Sequence, residues 1–333
     1  MAGRCPYDRL VTGKRLLTLL AFVLAAGSTA TPASAAAGTI FFTVGSPEPH
    51  IAQLWSVRED GTGLERLRRR MPVGPQGGTA TLARDGRHIL CLCRRGEIDS
   101  VRTDGTHLRR IGPQPTGTRY DVVALSSTGW AFWVKGYKRI LTQKAGTRKQ
   151  RSFTAAKARN SVVDLRVVPS PDGRRIAYAV YGCLEAPCPS EDVETLITAD
   201  TDGTDPTVVY RGEGLAKEIW DVAWSPDGSR LIFSDGTGEG NPKGELPVSY
   251  PRQFFVAPSD GSEPQGHLLP LPETASDPTF SPAGDRLVLS APLDRRFALQ
   301  ITPLDAYSPT PLPGTACHAY CEFSSRPFAW AAR

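Results

Sequence analysis

The 333-residue chain has little of what membrane proteins and most enzymes display openly. Long apolar runs are nearly absent. The one clear run, "LLTLLAFVLAA" at 16–26, is about half the roughly 20 residues that a membrane-spanning helix needs. It follows a basic start (Arg4, Arg9, Lys14, Arg15) and precedes the small residues "ASA" at 33–35. That order is a secretory signal peptide. Residues 1–35 are therefore expected to be cleaved, leaving 36–333 as a single exported domain, released outside the cell or held at its envelope. No membrane span is expected in what remains. Cys5 lies ahead of the apolar run and cannot be a lipid-attachment cysteine at the cleavage site, and no twin-arginine pair precedes the run.

Catalytic signatures are equally sparse. The five histidines (His50, His88, His107, His267, His318) are scattered over separate stretches. No G-x-S-x-G elbow occurs. "GTGEG" at 236–240 is not a phosphate loop, because no Gly-Lys-Ser/Thr follows it. Seven cysteines minus Cys5 leave six, an even number that in an exported chain points to disulfides. Cys183 and Cys188 bracket a short loop and are expected to close it. Cys317 and Cys321, in "CHAYC", are expected to do the same. A Cys/His metal site using His318 is the rival, but the spacing is not that of a zinc motif. Cys91 and Cys93 stand two apart on one strand, where pairing with each other would strain the bridge, so buried free thiols are expected.

Charge of one sign is short in each half in turn. Residues 36–160 hold 22 Lys/Arg against 9 Asp/Glu, and residues 161–333 hold 13 against 24. The near-neutral total hides this split, which concerns partners and orientation rather than fold. The basic half contains "RLRRR" (66–70), Arg94-Arg95, Arg109-Arg110 and "KAGTRKQR" (144–151). It is either a docking surface for an anionic envelope component or ordinary solvated charge at strand ends. Nucleic acid is not expected as a partner of an exported chain with few aromatics among these basic residues.

What the chain does have is turn chemistry, with 32 Gly and 29 Pro. "AWSPDGSRLIFSDG" (223–236) is echoed by "VPSPDGRRIAYAVYG" (168–182) and "TFSPAGDRLVLSAP" (279–292). Proline presets φ for a turn, Asp can bond nearby backbone and Gly accepts positive φ, so each phrase reads as two strands joined by a tight hairpin. A second turn signal follows each: "REDGTGLERL", "RTDGTHLRRI", "DTDGTDPTVV", "PSDGSEPQGH". The first series places glycine at 86, 129, 173, 228 and 284. The second places it at 61, 105, 146, 203 and 261, with Asp305-Ala306 as a degraded sixth. Steps of 41–58 residues with four short strands each are the mark of propeller blades.

Five whole blades are expected over 79–112, 121–153, 163–212, 219–271 and 276–314. The chain opens in mid-blade with "TIFFTV", "QLWSVR" and "LERL", and ends on an unassigned strand, "CEFSSRPFAW". The expected fold is therefore an all-β, six-bladed propeller of four-stranded blades, with the C-terminal strand completing the N-terminal blade and closing the ring. Trp224 and Phe280, at matching places before the turns, are expected between blades. The repeated phrase is a structural unit rather than a repeated active site.

"DVAWSPDGSRLIF" and "DPTFSPAGDRLVL", each followed by a strand and a turn, resemble the TolB-like propeller repeat, related in shape to WD repeats. The resemblance is strongest over 163–292 and degrades toward both ends; "SSTGWAFW" lacks the Pro-Asp pair and "LARDGRHIL" lacks the Pro. It implies the fold and, for the family at large, mainly protein–protein binding, with a minority of enzymes. The α/β domain that precedes the propeller in TolB itself has no counterpart, because strand-like sequence starts just after the expected cleavage site.

In this topology both turn series lie on one face of the disc, and the second-to-third-strand loops lie on the other, variable face. Two insertions fall on the variable face, at 182–194 and 235–251, with Glu185 and Asp192 in the first and Asp235 and Glu239 in the second. Long loops on a rigid scaffold are where binding resides. A cation or basic ligand is the functional reading, solvated loop charge the plain one. Asp164, Asp221 and Asp277 sit near the starts of inner strands, at the channel mouth. They are the candidate ligands for a divalent cation, or else acceptors of backbone hydrogen bonds. The expectation is a monomeric, non-enzymatic binding module for a protein or an anionic envelope component, without a cofactor. The alternative is a metal-dependent propeller lyase or hydrolase acting in the channel.

Overall fold

The computed structural model describes residues 38–45, 51–72, 80–92, 98–112, 124–155, 162–182, 194–212, 217–237, 252–293, 296–318 and 326–331. Among them no residue is helical, and so no helix is long and apolar enough to cross a membrane. The strands form six antiparallel sheets.

Blade 1 holds β1 (Thr39–Gly45), β2 (Ile51–Arg58) and β3 (Glu65–Pro72). Blade 2 holds β4 (Ala80–Leu82), β5 (His88–Leu92), β6 (Ile98–Arg102) and β7 (Arg109–Gly112). Blade 3 holds β8 (Ala124–Leu125), β9 (Trp130–Lys135), β10 (Arg139–Lys144) and β11 (Gln150–Thr154). Blade 4 holds β12 (Val162–Pro169), β13 (Arg175–Tyr181), β14 (Glu194–Asp200) and β15 (Thr207–Arg211). Blade 5 holds β16 (Lys217–Trp224), β17 (Arg230–Thr237), β18 (Arg252–Pro258) and β19 (His267–Leu269). Blade 6 holds β20 (Ser276–Phe280), β21 (Arg286–Leu293), β22 (Arg296–Pro303) and β23 (Thr310–Pro311). One addition was not expected: β24 (Cys317–His318), which pairs with Arg296 and Phe297 at the start of β22.

The last strand, β25 (Arg326–Ala331), lies beside β1, with Thr39 opposite Ala331 and Ile40 opposite Trp330. The ring is thus closed by backbone hydrogen bonds between the two ends of the chain, as expected. The innermost strand β25 lies against β20 on one side and β4 on the other. Sheet edges that would otherwise face one another unpaired are joined.

The repeated phrase is built alike wherever it occurs. In blade 5 the Gly228 N–H donates to the Ser225 carbonyl at 2.9 Å, and Ser225 Oγ donates to Asp227 Oδ1 at 2.6 Å. The Arg230 N–H donates back to Ser225 Oγ at 2.9 Å. Blade 4 repeats this with Ser170, Asp172, Gly173 and Arg175. In blade 6 alanine replaces the turn Asp, and Ser281 Oγ turns to Asp285 instead, at 2.8 Å. The serine is therefore as much part of the turn as the Pro, Asp and Gly that the sequence pattern emphasised. The arginine that ends the phrase reaches the next blade. Arg230 donates to the Gly284 carbonyl at 2.9 Å, and Arg286 pairs with Glu59 at 3.1 Å and lies over the Trp330 ring.

All ten turn glycines of the two series hold positive φ, between 64° and 86°. In the second series a further reason operates. A Cβ on Gly105 would overlap the backbone carbonyl of Leu67, and one on Gly261 would overlap that of Val208. In blades 2, 4 and 5 the second turn leans on the outermost strand of the preceding blade too closely for a side chain; in blade 3 the Ile111 carbonyl stands at ordinary contact distance, 3.4 Å, from a Cβ on Gly146.

Six apolar clusters fill the six boundaries between blades. Trp224 joins Ala177, Leu196 and Tyr210 between blades 4 and 5, and its Nε1–H donates to the Val168 carbonyl at 2.9 Å. Phe280 packs with Ile232 and Phe254 between blades 5 and 6. Trp330 brings β25 against Val288 and Leu299 of blade 6. Both aromatic positions singled out in the sequence are inter-blade core. The second strands β13, β17 and β21 have consecutive buried residues, because both faces of each blade are covered by neighbours.

One expectation is corrected. Cys91, 2% exposed, is disulfide-bonded rather than a free thiol. That expectation concerned the pairing of Cys91 with Cys93, which lies outside the described residues. No other cysteine has a described side chain.

Candidate functional site

The candidate site is the variable face over blades 4 and 5, where both insertions are rooted. The first leaves the sheet after β13 and returns at Glu194; the second leaves after β17 and returns at Arg252. These roots are adjacent in the ring and are tied together by buried polar contacts. Glu194, 2% exposed, accepts the Ile219 N–H through Oε2. Tyr210 donates its hydroxyl to Asp235 Oδ2 at 2.5 Å. Both bonds cross from blade 4 to blade 5. Buried charges survive only when bonded in this way, so the platform under the two loops is cross-linked at its rim.

Asp235 belongs to this platform. The sequence reading placed it at the head of the second insertion, but it lies within β17 and is only 3% exposed. It supports the loop from beneath rather than being displayed on it.

Asp221 is the centre of a second group, closer to the channel. Its Oδ2 accepts from Arg252 Nη1 at 2.5 Å and from Ser234 Oγ at 3.1 Å. Its Oδ1 accepts the Asp277 N–H of the next blade at 3.4 Å. The Arg252 guanidinium lies over the Trp220 ring, 5.3 Å from its centroid. Asp221 and Asp277 both hold φ of 53°, a left-handed conformation that Asp tolerates better than most residues. Each sits in a break of pairing register, between Trp220 and Ala223 in one blade and between Ser276 and Thr279 in the next. Asp164 also lies in a register break, a longer one, between Val163 and Val167 of β12. Asp221 and Asp277 are thus one structural position in successive blades, a bulge in the innermost strand; its register equivalent in blade 4 is Arg166, two residues beyond Asp164.

Of the remaining residues named from the sequence, Glu185, Asp192, Glu239, Cys183, Cys188 and Cys321 lie outside the described residues, and Cys317 is placed only by its backbone in β24. Among the described residues no three His, Cys, Asp or Glu side chains come together as a metal-binding set. Arg252, Ser234, Trp220 and Tyr210 carried no signal in the sequence, whereas Glu194 was counted among the acids of the first insertion and proves to be a buried root of it. Arg252 follows an insertion and belongs to no repeated phrase, so no sequence signal marked it.

No protein-family model matches this chain, and no curated protein matches its sequence. Its architecture is that of a six-bladed β-propeller. Within that class it has the TolB-like fold. TolB from Acinetobacter baumannii superposes with a TM-score of 0.56 at 16% identity, over 89% of this chain and 67% of that one. A TolB-type structure from Agrobacterium tumefaciens gives 0.51 at 16%, over 88% and 98%. A chain of a nidogen/laminin complex gives 0.54 at 12%, over 88% and 97%. At such identities the likeness is one of fold.

Proposed function

We propose that this chain is an exported, non-enzymatic binding module, which holds a protein or another cell-envelope component on its variable face over blades 4 and 5. The observation that carries this reading is the engagement of Asp221. Both of its carboxylate oxygens are committed, one to Arg252 and Ser234 and the other to the backbone of the next blade. An acid that a catalytic metal would need as a ligand instead clamps two blades and neutralises an arginine. What this gives is a rigid rim at the roots of the two insertions, and long insertions on a rigid scaffold are where binding residues reside. The nidogen/laminin structure, of the same fold, is a complex of two proteins.

The test is capture by the immobilised full chain from envelope extract at physiological salt, with Glu185→Ala/Asp192→Ala and Glu239→Ala variants alongside. A specific protein retained by the parent and lost in the variants supports the reading. The opposite result is a rise in Tm with Mn²⁺ or Ca²⁺ that chelation reverses, together with no captured protein. That would favour the channel enzyme.

A further inference from the structure

The ring converts the charge split of the sequence into a geometric one. Blades 1–3 form one half of the disc and blades 4–6 the other. The effect is sharpest on the face of the tight turns, opposite the loops considered above. There the turns of blades 2 and 3 present Arg84, Arg87, Arg102, Arg109, Arg148 and Lys149, all exposed. The second turns of blades 4, 5 and 6 present Asp202, Asp205, Asp260, Glu263 and Asp305, also exposed.

The two sectors differ in more than sign. In the acidic sector three of the four first-turn arginines pair with carboxylates: Arg174 with Asp172, Arg175 with Asp205, and Arg286 with Glu59 and Asp285, while Arg230 donates to the Gly284 carbonyl. In the basic sector, among the described residues, none of those six cations lies within salt-bridge distance of a carboxylate. The two acids nearest them are used by their own turns. Asp85 bonds to the Arg87 N–H and His88, and Asp104 bonds to Thr106.

The basic turns are also contiguous. The Arg84 N–H donates to the Ser127 carbonyl at 2.9 Å, which joins the first turns of blades 2 and 3. The turn around Gly105 rests on Leu67 and accepts a hydrogen bond from Arg68 of blade 1 at 3.1 Å. The turn around Gly146 lies against the backbone of Ile111, next to Arg109 and Arg110. An arc of cations therefore runs across the turns of blades 2 and 3, flanked by Arg68 of blade 1.

We propose that this arc is a docking track for a linear polyanion. Arginine forks match oxyanions two bonds at a time, and most of the arc is arginine. A flat anionic bilayer fits poorly, because lying on this face would press the acidic sector against it as well. A narrow chain can follow the basic arc alone. The proposal concerns the face opposite the candidate loop site and stands independently of that site's function.

The test uses the full chain and long-chain polyphosphate as the probe, with affinity followed from 50 to 200 mM salt. The parent should bind, with affinity falling steeply as salt rises. An Arg109→Gln/Arg148→Gln variant should lose about tenfold or more at 0.1 M salt, and its log–log salt slope should shrink by about 1.5, as two lost contacts require. Arg174→Gln, an exposed cation of the acidic sector, should bind like the parent. Several results would overturn the proposal: no binding at 50 mM salt, equal loss in both variants, or binding to phosphatidylglycerol vesicles without binding to polyphosphate. A salt-sensitive dimer in place of polyphosphate binding would also overturn it and assign the arc to a second copy of the chain.

Discussion

The Asp277 N–H donates to Asp221 Oδ1 at 3.4 Å across the boundary of blades 5 and 6, and both residues hold the same left-handed backbone angle, φ 53°. One repeated position thus serves as acceptor in one blade and as donor in the next. Removing the charge at Asp221 leaves Arg252 without its partner. The pair is partly buried, with side chains 12% and 23% exposed. Asp221→Asn should therefore cost about 1–3 kcal/mol, less than a fully buried pair. Asp221→Ala should cost about 1 kcal/mol more, because alanine tolerates the left-handed angle less well. Denaturant unfolding of both variants checks the order. Equal losses would mean that the backbone angle contributes nothing.

Two turn glycines with similar φ should respond very differently to alanine. Gly86 has φ 64° and open space around its missing side chain, whereas Gly105 has φ 79° and faces the Leu67 carbonyl. Gly86→Ala should cost about 1–2 kcal/mol from the backbone angle alone. Gly105→Ala must also push blade 2 away from blade 1, and should cost roughly 3–4 kcal/mol. Similar melting temperatures for the two variants would contradict the close packing of second turns on neighbouring blades.

Ring closure depends on Trp330, which is buried between blades 1 and 6 and covered by the Arg286 guanidinium. Trp330→Ala should cost about 3–5 kcal/mol. The loss should be local at first: amide exchange should rise in β25 and β1 before it rises in blade 4. Uniform acceleration around the ring would show that closure and the rest of the fold are one cooperative unit.

Acid should weaken the turns. Asp227 is held down to about 2, from an ordinary 3.8, first by the Ser225 hydroxyl and then by the backbone and side chain of Ser229. Asp202 is likewise lowered, chiefly by the Thr204 hydroxyl, and Asp260 chiefly by the Ser262 N–H. The folded state therefore binds these protons less readily than the unfolded state. Their stabilisation is present above the unfolded value near 4 and is lost as pH falls toward about 2. Asp227→Asn should flatten the dependence of Tm on pH in that window and leave it unchanged near neutrality. An unaltered acid limb in the variant would rule out Asp227 as a contributor.

Much of the architecture was legible in the chain. The turn glycines spaced along it marked every blade, and "CEFSSRPFAW" could be matched to the incomplete blade at the start. These are local signals, since a turn's requirement for positive φ is written in two or three residues. The candidate site was legible only in part. Asp221 and Asp277 stood out because they recur at one place in the repeat. Asp235 was read as a loop residue because it adjoins an insertion, and Cys91 as a free thiol because only its nearest neighbour in sequence was weighed.

Sequence alone determined the strand order, the two faces of the disc and the opposed charge of its halves, because each follows from turn chemistry and composition along the chain. Tertiary structure alone decided what touches what around the ring. It seated the second turns on the preceding blades, set Arg252 on Asp221 and Tyr210 on Asp235, and gathered the cations of blades 2 and 3 into one arc. Those relationships join residues tens to hundreds of positions apart, as in the Arg286–Glu59 pair that helps close the ring. They depend on the angle at which whole sheets pack, which no local pattern specifies.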